Sequence, residues 1–225
     1  MKTPQCIGII MDGNRRWAKA RSLPTFEGHR HGYQTMKQVT EWATDAGIGT
    51  VIFFAFSEEN WQRAQDEVAF MMDLIREVFK NEKQYAMENN IRLRYIGNVS
   101  KFAPDIQESM RDAEQETQGN TGINLVLAVS YGGRQEIIRT VNKLIAQGKK
   151  EITVEDMNAS LDTAGLPDPD MIIRTSGEQR TSGFLPWQGV YSELFFTKTL
   201  WPDFSQEEFK KILEEYSERE RRMGK

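Results

Sequence analysis

Three short runs of this 225-residue chain combine acids, arginines, glycines and hydroxyls in the way that handling a phosphorylated ligand requires. The first, Asp12-Gly13-Asn14-Arg15-Arg16-Trp17, follows directly on the apolar Ile9-Ile10-Met11. An acid at the carboxyl end of a parallel strand stands where open α/β sheets receive their ligands, and a glycine there lets backbone amides approach a diphosphate. Arg15 and Arg16 add cationic donors, although Asp-Gly-Asn taken alone reads equally as an ordinary turn. Downstream, Glu27-Gly28-His29 adds a glycine turn and one of only two histidines. Taken alone, His29 reads as a helix N-terminal or surface residue. The second run, Phe54 to Trp61, sets Ser57, Glu58, Glu59 and Asn60 just after an apolar stretch, where Ser57 or Asn60 could also serve as helix caps.

The third run, Asp168 to Ser182, is the most specific. It delivers Arg174 to the end of a short apolar strand and then places Arg180 and Ser182 within eight residues across a glycine loop. Guanidinium groups bind phosphate oxygens in bidentate fashion and a hydroxyl adds a further donor, so the loop suits a diphosphate; a solvated basic loop is the alternative. Glu193, in Tyr191 to Phe196, sets a carboxylate beside a strand that reads as buried, and buried acids are rare without a partner or a metal.

These residues need a scaffold that aligns strand ends. β-rich runs recur at Cys6 to Met11, Thr50 to Phe56, Ile91 to Ile96, Ile123 to Val129, Met171 to Arg174 and Leu194 to Phe196. Helical patterns fill the intervals at 28–46, 66–90, 104–117, 133–147, 153–161 and 205–221. The alternation predicts an α/β fold with a mostly parallel central sheet of about six strands flanked by helices, formed by a single domain over 1–225. In the helix over 66–90, Val68, Met71, Met72, Ile75, Val78 and Phe79 follow one-face spacing while Phe70 and Leu74 widen the apolar stripe. A deeply buried helix satisfies that pattern; so does the wall of an apolar tunnel.

Net charge is −4, which argues against a chain-wide nucleic-acid surface. Residues 1–31 carry six Lys/Arg against two acids and residues 216–225 carry four against two, so positive charge collects at both ends of an otherwise acidic chain. A lone Cys6 and the absence of a signal-like N-terminus favour a reducing, cytoplasmic setting. The longest apolar run, Val51 to Phe56, is far short of the ~20 residues of a membrane-spanning helix.

Taken together, Ile9 to Trp17, Phe54 to Val68, Tyr131-Gly132-Gly133-Arg134, Leu166 to Asp203 and Arg219-Glu220-Arg221-Arg222 resemble the cis-prenyltransferase family, typified by bacterial undecaprenyl diphosphate synthase, over essentially the whole chain. The resemblance implies a Mg²⁺-dependent enzyme that condenses isopentenyl diphosphate with an allylic prenyl diphosphate to a medium- or long-chain product of the lipid-carrier-precursor type. It implies that Asp12 holds Mg²⁺ with Glu193 sharing it, and that Gly13, Asn14, Arg15, Arg16, Trp17 and His29 cradle the allylic diphosphate. Arg174, Arg180 and Ser182 would bind isopentenyl diphosphate, and Ser57, Asn60 and Trp61 would belong to a loop closing over the reacting ends, Ser57 and Asn60 with catalytic roles and Trp61 and Arg63 binding substrate. It further implies a homodimer in which Arg219, Arg221 or Arg222 reaches the partner's site, and it is compatible with peripheral membrane contact for product release. Thr25 departs from the family, where Arg is frequent; Arg21 and Arg30 are the candidate substitutes. Ala64, Ser130 and Arg15 also depart from the usual Pro, Asn and Gly. A non-catalytic scaffold subunit is the competing class, but such a chain should lack the acid and arginine set present here.

Overall fold

The computed structural model describes residues 2–220. Six parallel strands form one sheet in the order β3-β4-β2-β1-β5-β6: β1 Cys6–Ile10, β2 Thr50–Ser57, β3 Arg92–Ile96, β4 Asn124–Tyr131, β5 Met171–Arg174 and β6 Glu193–Phe196. Between them lie α1 Asn14–Ala20, α2 Thr25–Asp45, α3 Gln65–Glu88, α4 Pro104–Thr117, α5 Gly133–Ala146 and α6 Val154–Ser160, and α7 Gln206–Glu218 follows β6. The expected mixed fold and parallel sheet are therefore present. Only α1 falls where the sequence reads as a turn.

Strand alternation divides the core in two. Ile7, Ile9, Val51, Phe53, Leu125, Leu127 and Ile173 face a large cluster supplied by α2, α3, α4 and α7, whereas Cys6, Ile10, Ile52, Val126, Ala128 and Ile172 face a smaller one with Phe184 and Leu185. Chain order runs outward from β1 through β2 to the β4 and β3 edge, then returns to β5 on the other side of β1. The switch point lies between β1 and β5, and the crevice beyond their carboxyl ends is where such sheets bind ligands.

One irregularity shapes that crevice. β2 and β4 pair in register from Thr50↔Asn124 to Phe54↔Ala128, then Phe56 pairs with Val129 and Ser57 with Tyr131. Ala55 is thus an extra residue on β2, and Ser130, at φ 46°, is the extra residue on β4 that restores the register.

Candidate active site

Asp12 sits two residues beyond the β1 end and Arg174 is the last residue of β5, so parallel pairing brings together side chains 162 positions apart. The Arg174 guanidinium is buried; it donates to Asp12 Oδ2 at 2.8 Å, to Ser182 Oγ at 2.8 Å and to the Arg180 carbonyl at 2.5 Å. Arg16 lies 3.5 Å from Asp12 Oδ1 and donates to the Ser176 hydroxyl and carbonyl. Burial by itself would raise the Asp12 pKa, but hydrogen bonds from Arg174 and Ser176 and the charges of Arg174 and Arg16 outweigh it and hold the carboxyl below the usual range. The main chain is clamped too: Thr175 Oγ1 donates to the Asp12 carbonyl at 2.6 Å and the Trp201 amide does so at 3.1 Å.

Gly13, at φ 112°, turns the chain from β1 into α1. Helix α1 then settles against α2 because Gly28 and Gly32, one turn apart, leave a groove: a Cβ on Gly28 would come within 2.0 Å of the Asn14 carbonyl, and one on Gly32 within 2.3 Å of Asn14 Oδ1. That close approach sets His29 beside the strand end. Its Nε2 is buried without a partner, and burial, reinforced by the charges of Arg63 and Arg15, pulls its pKa down to about 4, so the ring is neutral at pH 7.

Three concavities meet at this point. A polar bowl of about 660 Å³ is lined by Asp12, Gly13, Asn14, Arg15, Arg16, Lys19, Thr25, His29 and Arg63 among others. An apolar cavity of about 290 Å³ opens from the same strand ends and runs between the sheet, α2 and α3, lined by Tyr33, Met36, Phe54, Ala55, Met71, Leu74, Ile75, Val78 and Phe79, with Asp12, Asn14, His29, Ser57, Asn60, Arg63, Arg174 and Ser182 at its polar end. A second cleft of about 660 Å³ lies between Phe54, Ser57, Glu59, Arg134 and the 181–186 loop, with Ser182 again in its wall. The loop seats on α5 because position 133 is glycine: a Cβ there would come within 2.1 Å of Pro186 Cδ. A cation-rich bowl, and a second cleft whose wall carries Arg134 and Ser182, flank the mouth of an apolar channel; the arrangement suits two charged ligands, one of which carries a long hydrocarbon.

The model of the undecaprenyl diphosphate synthase family matches residues 10–224. The chain belongs to that prenyltransferase family. Isoprenyl transferases of Chromobacterium violaceum and Aquifex pyrophilus are 46% and 42% identical to this prenyltransferase, over 99% and 100% of its length and 88% and 97% of theirs. Among solved structures, lavandulyl diphosphate synthase from Lavandula x intermedia, in complex with dimethylallyl diphosphate, superposes with a TM-score of 0.93 at 33% identity over 99% of both chains. A probable undecaprenyl diphosphate synthase from Campylobacter jejuni does so with 0.86 at 33% identity over the full length of both. The expected family and fold are thereby established, and with them cis-prenyltransferase activity.

Several expected residues of this prenyltransferase stand elsewhere than expected. Trp17 is buried and lines neither the bowl nor the apolar cavity; its Nε1 donates to Asp203 at 2.6 Å and its ring packs on His31, which makes it a strut between α1 and the 201–203 turn. Trp61 turns away from the channel, donating to Ser130 Oγ at 2.8 Å and packing on Phe56 and Phe102. Arg180 contributes its carbonyl to Arg174, while its exposed guanidinium pairs with Glu178. Glu193 opens β6 opposite Met171, three residues back from the Arg174 level, about 10 Å toward the other end of the sheet. It accepts from Arg219 at 2.7 Å, so within one chain Glu193 and Asp12 do not share a site. Arg221 and Arg222 lie outside the described residues. Neither substitute for the residue at 25 reaches the bowl: Arg21 pairs with Asp203 over the Trp17 ring, and Arg30 pairs with Glu27 and Glu77.

Ser57 and Asn60 do line the channel mouth, but Asn60 Oδ1 accepts from the Ser57 amide at 3.0 Å, which is the capping role. Ala55 and Ser57 both line the cavity, and the bulge between them turns Phe56 to the same face as Ala55. Glu67 is the main residue the sequence reading missed. In the first turn of α3 it accepts from Arg63 at 2.8 Å and lies 3.5 Å from Arg15, gathering two cations over the bowl.

Proposed function

We propose that this prenyltransferase lengthens an allylic prenyl diphosphate with isopentenyl diphosphate, giving a medium- or long-chain cis-polyprenyl diphosphate of the lipid-carrier-precursor type. The observation that carries the reading is the apolar channel opening beside a cation-lined bowl at the strand-end crevice, with a second cleft holding Arg134 and Ser182 on its other side. The primer's diphosphate occupies the bowl, as supported by the family relationship and by a structural neighbour that holds an allylic diphosphate. Arg15, Arg16 and Arg63 bind its oxygens, and neutral His29 accepts or donates one hydrogen bond without adding charge. Isopentenyl diphosphate takes the second cleft, near Arg174, Arg180 and Ser182.

The allylic C–O bond breaks with the electron pair leaving on diphosphate, the terminal alkene carbon of isopentenyl diphosphate attacks the allylic carbon, and the tertiary cation so formed loses a proton from its neighbouring CH₂ to an oxygen of the released diphosphate, closing the cis double bond. Departure of diphosphate depends on neutralising its developing charge, which arginines preorganised in a partly dry site do effectively. Holding both substrates at one strand end supplies much of the remaining acceleration. Among the described residues no group of three His, Cys, Asp or Glu forms a protein-only metal cage. A single anionic Asp12 beside a diphosphate recess nevertheless fits Mg²⁺, which is commonly held by one carboxylate together with substrate phosphates and water. Bound there by Asp12, the ion would neutralise charge on the leaving group.

Sharing of that ion by Glu193 would need a second copy of the chain. A homodimer is further supported by exposed Val190, Tyr191, Leu194 and Phe196 on and beside the edge strand β6. A monomer in light scattering at working concentration counts against it. No helix among the described residues is long and apolar enough to cross a membrane; we place the enzyme in the cytoplasm, with contact to a membrane surface at product release.

Incubating the protein with labelled isopentenyl diphosphate, an allylic primer and Mg²⁺ tests the reading. A ladder of products differing by C5 units is expected, and unreacted substrates would refute it.

A further inference from the structure

Helices α2 and α3 run side by side in the same direction away from the bowl. Phe26 meets Phe70 with ring centroids 5.3 Å apart, Arg30 approaches Glu77 at 3.9 Å, Tyr33 reaches Glu82, and Lys37 sits 3.8 Å from the Tyr85 ring. The Tyr33 side chain lines the apolar cavity, and its hydroxyl donates to Glu82 Oε2 at 2.5 Å. Glu82 is fully buried and its Oε1 has no partner; the buried hydroxyl of Tyr95, whose ring packs edge-on against Phe79, has none either. This carboxyl is remote from the phosphate chemistry, since Glu82 lies fifteen residues beyond Glu67 on α3, about 22 Å along the helix. Phosphate binding does not account for it.

We propose that Tyr33, pinned by Glu82, is the stop that limits how far the hydrocarbon tail of the product extends into the cavity, and so is a residue that determines product length. The proposal rests on the cis-prenyltransferase reading above. An unpinned aromatic ring in an apolar wall can swing to another rotamer as a growing chain presses on it, because nothing directional is lost. Tyr33 cannot do so freely. Moving its ring would strip Glu82 of its hydrogen bond and leave both carboxyl oxygens buried and unpaired, and an isoprenoid methyl offers no replacement donor. The penalty appears only when the tail reaches Tyr33, which makes termination abrupt. The relatives are compatible with this: one fold serves both a lavandulyl diphosphate synthase and a probable undecaprenyl diphosphate synthase, whose named products differ in length.

The test compares radiolabelled product ladders and thermal melts of the wild type, Tyr33→Ala and Tyr33→Phe with the same primer. Tyr33→Ala should move the distribution upward by one or more C5 units. Tyr33→Phe keeps the ring but removes the pin, and should broaden the ladder toward longer products. Should Tyr33→Ala fail to fold, Tyr33→Leu keeps an apolar contact with a shorter side chain and should also lengthen the products. Folded variants with the wild-type ladder, even at reduced rate, would show that the pair only braces α2 against α3 and would overturn the proposal. Absence of any polyprenyl product from the wild type would overturn the activity reading as well, which separates the two failures.

Discussion

The bowl and the apolar cavity share Asp12, Asn14, His29 and Arg63 along their boundary, yet they are built on opposite rules. In the bowl nearly every charge is already engaged: Asp12 with Arg174 and Arg16, Glu67 with Arg15 and Arg63, Arg16 also with Ser176 and Glu178. Pairing of this kind holds the donors in position before a substrate arrives, and an arriving diphosphate exchanges partners instead of ordering loose side chains. The cavity is shaped by bulk, with Met, Leu, Ile, Val and Phe offering no directional contact above the Tyr33 pair. The contrast assigns chemistry to hydrogen-bond geometry and product length to shape, so damage to one region should leave a signature distinct from damage to the other.

The largest effect belongs to the bowl. Asp12→Ala should lower turnover ~10²-fold or more, because it removes the carboxylate proposed to place Mg²⁺ against the leaving diphosphate. From sequence, its task looks purely chemical and the fold indifferent to its loss. The structure predicts otherwise: buried Arg174 loses its charge partner, so stability should fall by about 1–3 kcal/mol as well. Product length among residual turnovers should not change. Near-wild-type rates at saturating Mg²⁺ would remove Asp12 from the mechanism.

Ala55→Leu attacks the cavity. Added bulk at the bulge should shorten the product ladder and leave the apparent KM for isopentenyl diphosphate nearly unchanged, while overpacking costs roughly 1–3 kcal/mol. A lower melting temperature with an unaltered ladder would show that Ala55 only packs. The smallest effect sits on the boundary, at His29. Its pKa falls from 6.5 to about 4 on folding, so between those values the unfolded chain binds a proton that the folded one does not. The contribution of His29 is complete above pH 6.5 and is lost as pH falls toward 4. His29→Gln should flatten the stability profile across that window by about 1–2 kcal/mol, the part-exposed ring reducing the full linkage value. An unchanged slope in denaturant melts would contradict the buried, neutral assignment.

Much of this molecule is legible in its sequence. Alternating strand and helix patterns suffice for the sheet and the six longer-range elements around it, because each strand is a short apolar run and each of those helices has a periodic face. Helix α1 is not legible, since Gly13 to Arg16 carries the residues of a turn and its helix is held by α2 through Gly28 and Gly32. Trp17 and Trp61 misled for a related reason. An aromatic next to arginines or acids suggests a ligand contact, but their partners, Asp203 and Ser130, are 186 and 69 residues away and leave no local mark. The misplacement of Glu193 is one of register: the sequence shows a carboxylate at a strand, whereas only the pairing with Met171 shows which end of the sheet it occupies. The bulge at Ala55 was hidden likewise, being matched by an extra residue on a different strand. Tyr33 and Glu82 sit on two helices whose individual patterns say nothing of their meeting.

The position of β1 at the sheet's centre carries a consequence for biosynthesis. All five of its residues are buried, and one of its two neighbouring strands, β5, starts only at Met171. At roughly 5–20 residues per second of translation, on the order of ten seconds or more separate the emergence of these two strands. Throughout that interval an apolar strand has one edge without its partner, an opening for wrong pairings between nascent chains. The crevice cannot exist before then, so a polypeptide arrested ahead of Met171 is inactive and is also a substrate for chaperones, and its recovery in soluble form should depend on them.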